Sequence, residues 1–114
     1  GRQTRDYMFV KDAVSAYDMV LRSKGNPGRN GINFGSGKEI SINEIADLVI
    51  KHASPDKKLR PIHVDPRPVE VQRLLADISK AKKLLRFKPQ FQFERGLALL
   101  IDWYKNYKSE LWLY

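Results

Sequence analysis

Arg5 and Arg67 are the side chains best suited to hold an anionic group. A guanidinium is planar, keeps its charge at any working pH and presents a fork of N–H donors that fits two phosphate oxygens at once. Arg67 lies in Asp65-Pro-Arg-Pro-Val-Glu70, between two prolines that fix φ and withhold backbone donors, so it is expected in an extended loop. Such a loop, ahead of a strand, is a natural place to present a side chain to a ligand. The plainer alternative for each arginine is an ion pair: Arg67 with Glu70 or Asp65, and Arg5 with Asp6.

Other residues with chemical potential read as structural. Gly35-x-Gly37 suggests a nucleotide loop, but a dinucleotide fingerprint needs a third glycine where this chain has Ile40. A Walker loop would need Gly at the position of Ile32 and Ser or Thr at that of Glu39. The expected role is a tight turn that approaches a ligand. Asp12 and Asp77 suit helix starts, through capping and the macrodipole. His52 and His63 stand apart from any metal-ligand spacing, and with no cysteine there is neither a disulfide nor a thiolate zinc site.

These residues must be positioned by a chain of 114 residues, enough for one domain with a core but not for two. The expected class is α/β: short strands and three to four helices in one small mixed domain, residues 1–114. The longest apolar run, Leu97 to Ile101, is far too short to span a bilayer. Without cysteines or a leader pattern, a cytoplasmic location is expected. The net charge of +8 asks for a polyanionic partner or a solvated surface. In the densest block, Lys80 to Lys88, basic residues surround the apolar stripe Ala81, Leu84 and Leu85, which is the pattern of a solvated helix face.

In chain order, Tyr7 to Val10 reads as a strand, followed by a helix capped by Asp12 and running to about Leu21. Its apolar positions Val10, Ala13, Val14, Tyr17, Val20 and Leu21 follow the helical period. Lys24 to Gly28 is a loop and Asn30-Gly31 a turn into a strand at Ile32 to Phe34. Ser41-Ile-Asn-Glu44 is a capping box, opening a helix with Ile45, Leu48, Val49 and His52 on one side. Ser54-Pro-Asp56 stops it, and Arg60 to Val64 and Val71 to Ala76 read as strands. A helix starts near Lys80, Pro89 ends it, and the longest helix runs from Phe93 to about Ser109. On that last helix Leu97, Leu100, Ile101, Tyr104 and Tyr107 share a face.

Four ordered stretches carry a resemblance. Thr4-Arg-Asp-Tyr-Met-Phe-Val-Lys-Asp12 resembles T-R-D-F-x-x-V-x-D, and Asn33-Phe-Gly-Ser-Gly37 resembles N-x-G-S-G. The stretch from Arg67 to Ala81 resembles R-P-x-(D/E)-V…A-D-x-S-K-A, and Gly96 with Trp103-Tyr104 resembles a closing G-L…W-Y helix. Together they are similar to the C-terminal substrate-binding portion of extended short-chain dehydrogenase/reductases, the NAD-dependent nucleotide-sugar epimerases and dehydratases. The resemblance implies that Arg5 and Arg67 contact the diphosphate of a nucleotide sugar. It implies that the acidic residue at Glu70, where Asp is commoner, helps hold the nucleoside or its neighbourhood.

The same resemblance places NAD and the catalytic Ser/Thr, Tyr and Lys in an N-terminal cofactor domain, expected upstream because Gly1 opens inside a motif. No catalytic residue, metal or cofactor is then expected in this chain. It would be inactive alone, with the cofactor domain, a nucleotide-diphosphate sugar and copies of itself as partners. The family's Tyr-x-x-x-Lys pair occurs twice, at Tyr7/Lys11 and Tyr104/Lys108. With five tyrosines among 114 residues, about half a match arises by chance, and both are read as decoys. Arg86 replaces the usual glycine after the short helix, so a left-handed cap is lost or strained. Gln92 replaces a capping Ser or Thr, a loss of about 1 kcal/mol. The rival readings are a basic nucleic-acid-binding module and a stand-alone protein-interaction domain.

Overall fold

The computed structural model describes residues 1–24, 31–56 and 58–107. A three-stranded sheet of very short strands ties distant parts of the chain together. β1 (Thr4–Arg5) lies in its centre, antiparallel to β2 (Ile40–Ser41) and parallel to β3 (Arg73–Leu74). Thr4 faces Ser41 on one side and Arg73 on the other; Arg5 faces Ile40 and Leu74. Among the described residues there are four helices: α1 (Val10–Arg22), α2 (Ile42–Ala53), α3 (Ser79–Leu85) and α4 (Phe93–Tyr107). The mixed α/β class expected from the sequence is the one observed.

Local chemistry sets the helix ends. The Ser41 hydroxyl accepts from the Glu44 amide at 3.2 Å while the Glu44 carboxylate accepts from the Ser41 amide at 2.9 Å, so the capping box closes as expected. The Asp77 carboxylate accepts the Ser79 amide at 2.9 Å and so satisfies a donor at the start of α3. At the other end of α3, Arg86 keeps the left-handed cap despite having a side chain, with φ +54°. Asp12 departs from its expected role. α1 begins two residues earlier, behind Phe9, and Asp12 lies inside its first turn, buried. Its two carboxylate oxygens accept the amides of Gln90 and Phe91, at 2.9 and 3.1 Å, and so fasten α1 to the segment between α3 and α4.

The core is thin. Ala16, Ala81 and Phe87 form its buried centre, with Met8, Met19, Ile32 and Phe34 packed around them, and Phe34 meets Phe87 edge-on at 5.0 Å. Gly96 lets α4 settle on Phe9, since a Cβ there would lie 2.9 Å from the Phe9 ring. Facing outward on α1, Val10, Val14, Tyr17 and Leu21 are exposed, the last by 84%. On α4, Leu97 and Ile101 are half-buried, but Leu100, Tyr104 and Tyr107 are exposed, so the expected single core stripe is split.

Three expected strands are not formed. Residues 7–9 are irregular, as are 32–34 and 60–64, and of the stretch 71–76 only Arg73–Leu74 pairs. Most of the loop at 24–28, the turn at Asn30, Lys108 and the C-terminal Leu111 to Tyr114 lie outside the described residues.

Candidate functional site

Arg5 leaves the central strand and is held on three sides. Its Nη1 donates to the carbonyls of Thr4 and Val71, each at 2.8 Å, and its Nη2 donates to Glu70 Oε1 at 2.5 Å. Both side chains of this ion pair are 21% exposed, so it is screened less than a surface pair. Parallel pairing of β1 with β3 brings residues 70 and 71 beside Arg5, a juxtaposition that no short sequence window reveals. The local partners considered from sequence are corrected: Arg5 pairs with Glu70, not Asp6, and Glu70 is therefore taken from Arg67.

Arg67 opens a tight turn. The Glu70 amide donates to the Arg67 carbonyl at 3.3 Å, with Pro68 and Val69 at the corners. Val69 has φ +60°, the left-handed geometry of the third residue in a type II turn and one that disfavours a β-branched side chain. Residues 67–69 of the turn are exposed while Glu70 at its end is part-buried, and the Arg67 guanidinium has neither an ion pair nor a hydrogen bond among the described residues. Its expected alternative partners, Glu70 and Asp65, do not engage it.

Asp6, considered only as a neighbour of Arg5, is instead the hub beneath the site. Its Oδ1 accepts the Ser36 amide at 2.7 Å and the Ser36 hydroxyl at 2.6 Å. Its Oδ2 accepts the amides of Gly37 and Ala76, at 3.1 and 3.3 Å. Gly35 is required for this approach, because a Cβ would fall 2.6 Å from Asp6 Oδ2. The turn at 35–37 thus spends its amides on Asp6, which makes it a structural turn rather than a phosphate cradle. The Gly35-x-Gly37 turn lacks the third glycine of a dinucleotide fingerprint, and its Ser36 and Gly37 amides are engaged by Asp6.

A cavity of about 460 Å³ opens elsewhere, bordered by Tyr7, Lys38, Leu48, Gln90 and Phe93. None of Arg5, Arg67 and Glu70 lines it, and its carboxylates are committed: Glu44 to the α2 cap, Glu39 to Arg73 and Glu94 to Lys51 and His52. The Lys51 and His52 hydrogen bonds hold the Glu94 carboxyl below its ordinary pKa. The Tyr7 ring meets Phe93 at a tilt of 57° with centroids 5.7 Å apart while Lys11 is exposed, and Tyr104 is half exposed on α4, so neither tyrosine sits in the arginine site.

Fold and sequence agree on the lineage. The chain belongs to the GDP-mannose 4,6 dehydratase family, whose sequence profile matches residues 1–100. It is 38% identical over 93% of its length to a provisionally named UDP-glucose 4-epimerase of Methanocaldococcus jannaschii, covering 32% of that protein. It is 33% identical over 91% of its length to a dTDP-glucose 4,6-dehydratase of Xanthomonas campestris, covering 31% of that enzyme. Among solved structures, it superposes with a TM-score of 0.82 on the UDP-glucuronic acid 4-epimerase of Bacillus cereus in complex with UDP-glucuronic acid and NAD. That match is 30% identical and covers 93% of this chain and 33% of the other. The chain therefore spans about a third of the length of the relatives it matches.

Proposed function

We propose that this chain is the nucleotide-sugar-binding part of an NAD-dependent epimerase or dehydratase, holding the nucleotide diphosphate of the substrate. The observation that carries the reading is the contrast between the two arginines. Arg5 is anchored at the central strand and Arg67, at a strained turn, has no partner among the described residues, with Glu70 bonded to both segments. Anchored and free guanidinium forks on separate segments suit two adjacent phosphoryl groups. Family membership and relatives solved with UDP-sugars and NAD support the same substrate class.

NAD and the bond-making residues belong to the part of such an enzyme not represented in these residues. The chemistry of the whole would be hydride removal from a sugar carbon to NAD and its later return. This chain's contribution is orientation of the substrate through its phosphates. By itself it is expected to show no epimerase or dehydratase turnover.

Titration of the ¹⁵N-labelled chain with UDP tests the reading. Shifts are expected at Arg5, Arg67 and residues 69–74, with weak affinity and loss on Arg67→Ala. Shifts confined to Lys80 to Lys88, or none, overturn it. No observation favours the nucleic-acid or protein-interaction alternatives over this one.

A further inference from the structure

We infer that Glu70 is a positioning residue for Arg5 rather than a direct contact to the nucleoside, an inference that rests on the nucleotide-binding reading above. A guanidinium carries five N–H donors. Two on Nη1 go to the carbonyls of Thr4 and Val71 and one on Nη2 goes to Glu70, which leaves Nε–H and a single Nη2 hydrogen. Three anchors, two of them backbone carbonyls, one from the adjacent residue and one from the segment leading into β3, fix both the position and the plane of the group. The carboxylate is the only anchor that is a side chain, and so the only one that substitution can remove.

The arithmetic of donors has a consequence for the ligand. With two N–H groups left, Arg5 can serve one phosphoryl group through a two-bond contact, and no more. A second phosphoryl group must take its donors from elsewhere, and among the described residues Arg67 keeps its whole fork free. The pair is thus a fixed jaw and a free jaw. It suits two adjacent phosphates, as in a nucleoside diphosphate, better than one. Glu70 also brings a negative charge close to the site. If it merely occupied Arg5 in place of a ligand, removing it would strengthen phosphate binding. If it positions Arg5, removing it must weaken binding, because the fork then has to be ordered by the ligand.

Two measurements on the 114-residue chain separate these cases. The first is ¹⁵Nε relaxation of the arginine side chains without ligand. Arg5 is expected to be rigid and Arg67 mobile in the wild type, with Arg5 becoming as mobile as Arg67 in Glu70→Ala. The second is titration with UDP and UMP. Glu70→Ala is expected to weaken UDP binding by about tenfold, the scale of one charge-assisted contact. Glu70→Gln, which keeps one acceptor oxygen and the side-chain shape, is expected to restore much of both properties; it also serves if the alanine variant folds poorly. Arg5 equally mobile in the wild type, or UDP binding unchanged or tightened in Glu70→Ala, overturns the positioning role. Failure of UDP to bind the wild type would instead sink the nucleotide reading, and the relaxation data alone then decide whether Glu70 holds Arg5.

Discussion

Arg5 and Glu70, 65 positions apart in sequence, meet at 2.5 Å, whereas Arg67, just upstream of Glu70, meets no partner among the described residues. The two arginines should therefore separate in a stability experiment. Arg5→Ala leaves a largely buried carboxylate and two carbonyls without their donor, and is expected to cost about 1–3 kcal/mol. Arg67→Ala removes nothing from the folded chain and should stay within about 0.5 kcal/mol of wild type. Urea midpoints decide this, and equal losses for both variants would contradict the geometry.

Asp6 accepts four hydrogen bonds from Ser36, Gly37 and Ala76. Asp6→Ala should destabilise the chain by about 2–4 kcal/mol, since several part-buried donors lose their acceptor together. Asp6→Asn keeps one acceptor oxygen but turns an NH2 group toward those donors, so it acts in the same direction. Amide exchange at Gly37 and Ala76 should quicken in both variants. Unchanged protection there would show that water replaces the carboxylate without loss.

Arg86 holds φ +54° at the end of α3, a conformation that costs a side-chain-bearing residue about 1–2 kcal/mol. Arg86→Gly is expected to raise stability by about 1 kcal/mol, the relief of strain exceeding the added freedom of the unfolded chain. The urea midpoint should rise with its slope unchanged. A lowered midpoint would mean that the Arg86 side chain contributes more than its backbone costs.

Glu94 links α2 to α4 through Lys51 and His52, at 2.8 and 3.1 Å, and its carboxyl is held below the ordinary 4.5. A depressed carboxylate stabilises the fold above its unfolded pKa and loses that contribution as pH falls through the folded value. The loss is therefore confined to acid, below the ordinary 4.5. Glu94→Gln should flatten the fall in the urea midpoint between about pH 5.5 and about pH 3. An acid limb identical to wild type would show that the three groups do not interact in solution.

The outward face of α1 carries Val10, Val14, Tyr17 and Leu21 in water, beside a radius of gyration of 17.2 Å, against about 13 Å for a compact chain of this length. At about 25 cal/mol per Å², covering a few hundred Å² of such surface is worth several kcal/mol. The chain is expected to self-associate at micromolar concentration, and Tyr17→Glu with Leu21→Glu should shift it to monomer. Sedimentation showing a monomer at all concentrations would mean that this exposed face is tolerated.

The sequence carried the helices well, because α2, α3 and α4 are marked by short-range signals: the Ser41/Glu44 box, the Asp77 turn and the apolar period after Phe93. It carried the strands badly. Ile32 and Phe34 have strand-like chemistry, yet they pack around Ala81 and Phe87 from an irregular segment. The real strands are two residues long, and each is defined by a partner distant in sequence. The site followed the same division. Arg5, Arg67 and Glu70 were visible as residue types in a recognisable order. Which carboxylate met which arginine was not, because sequence shows only neighbours, and the nearest acids to the two arginines, Asp6 and Asp65, proved not to be their partners.

Asp12 sets a condition on how this chain is made. Its carboxylate is satisfied by amides 78 and 79 positions further on, and β1 waits almost as long for Arg73 and Leu74. Chains emerge from the ribosome N-terminus first, and helix α1 can coil within microseconds of emerging. Through seconds of further synthesis, though, its acid remains bare and its inner face unclosed. Asp6 can meet Ser36 and Gly37, and β1 can pair with β2, as soon as residue 41 has emerged, but α1 is not fastened until Gln90 and Phe91 are free. That interval, rather than the finished molecule, is when the apolar stripe of α1 is most open to a chaperone.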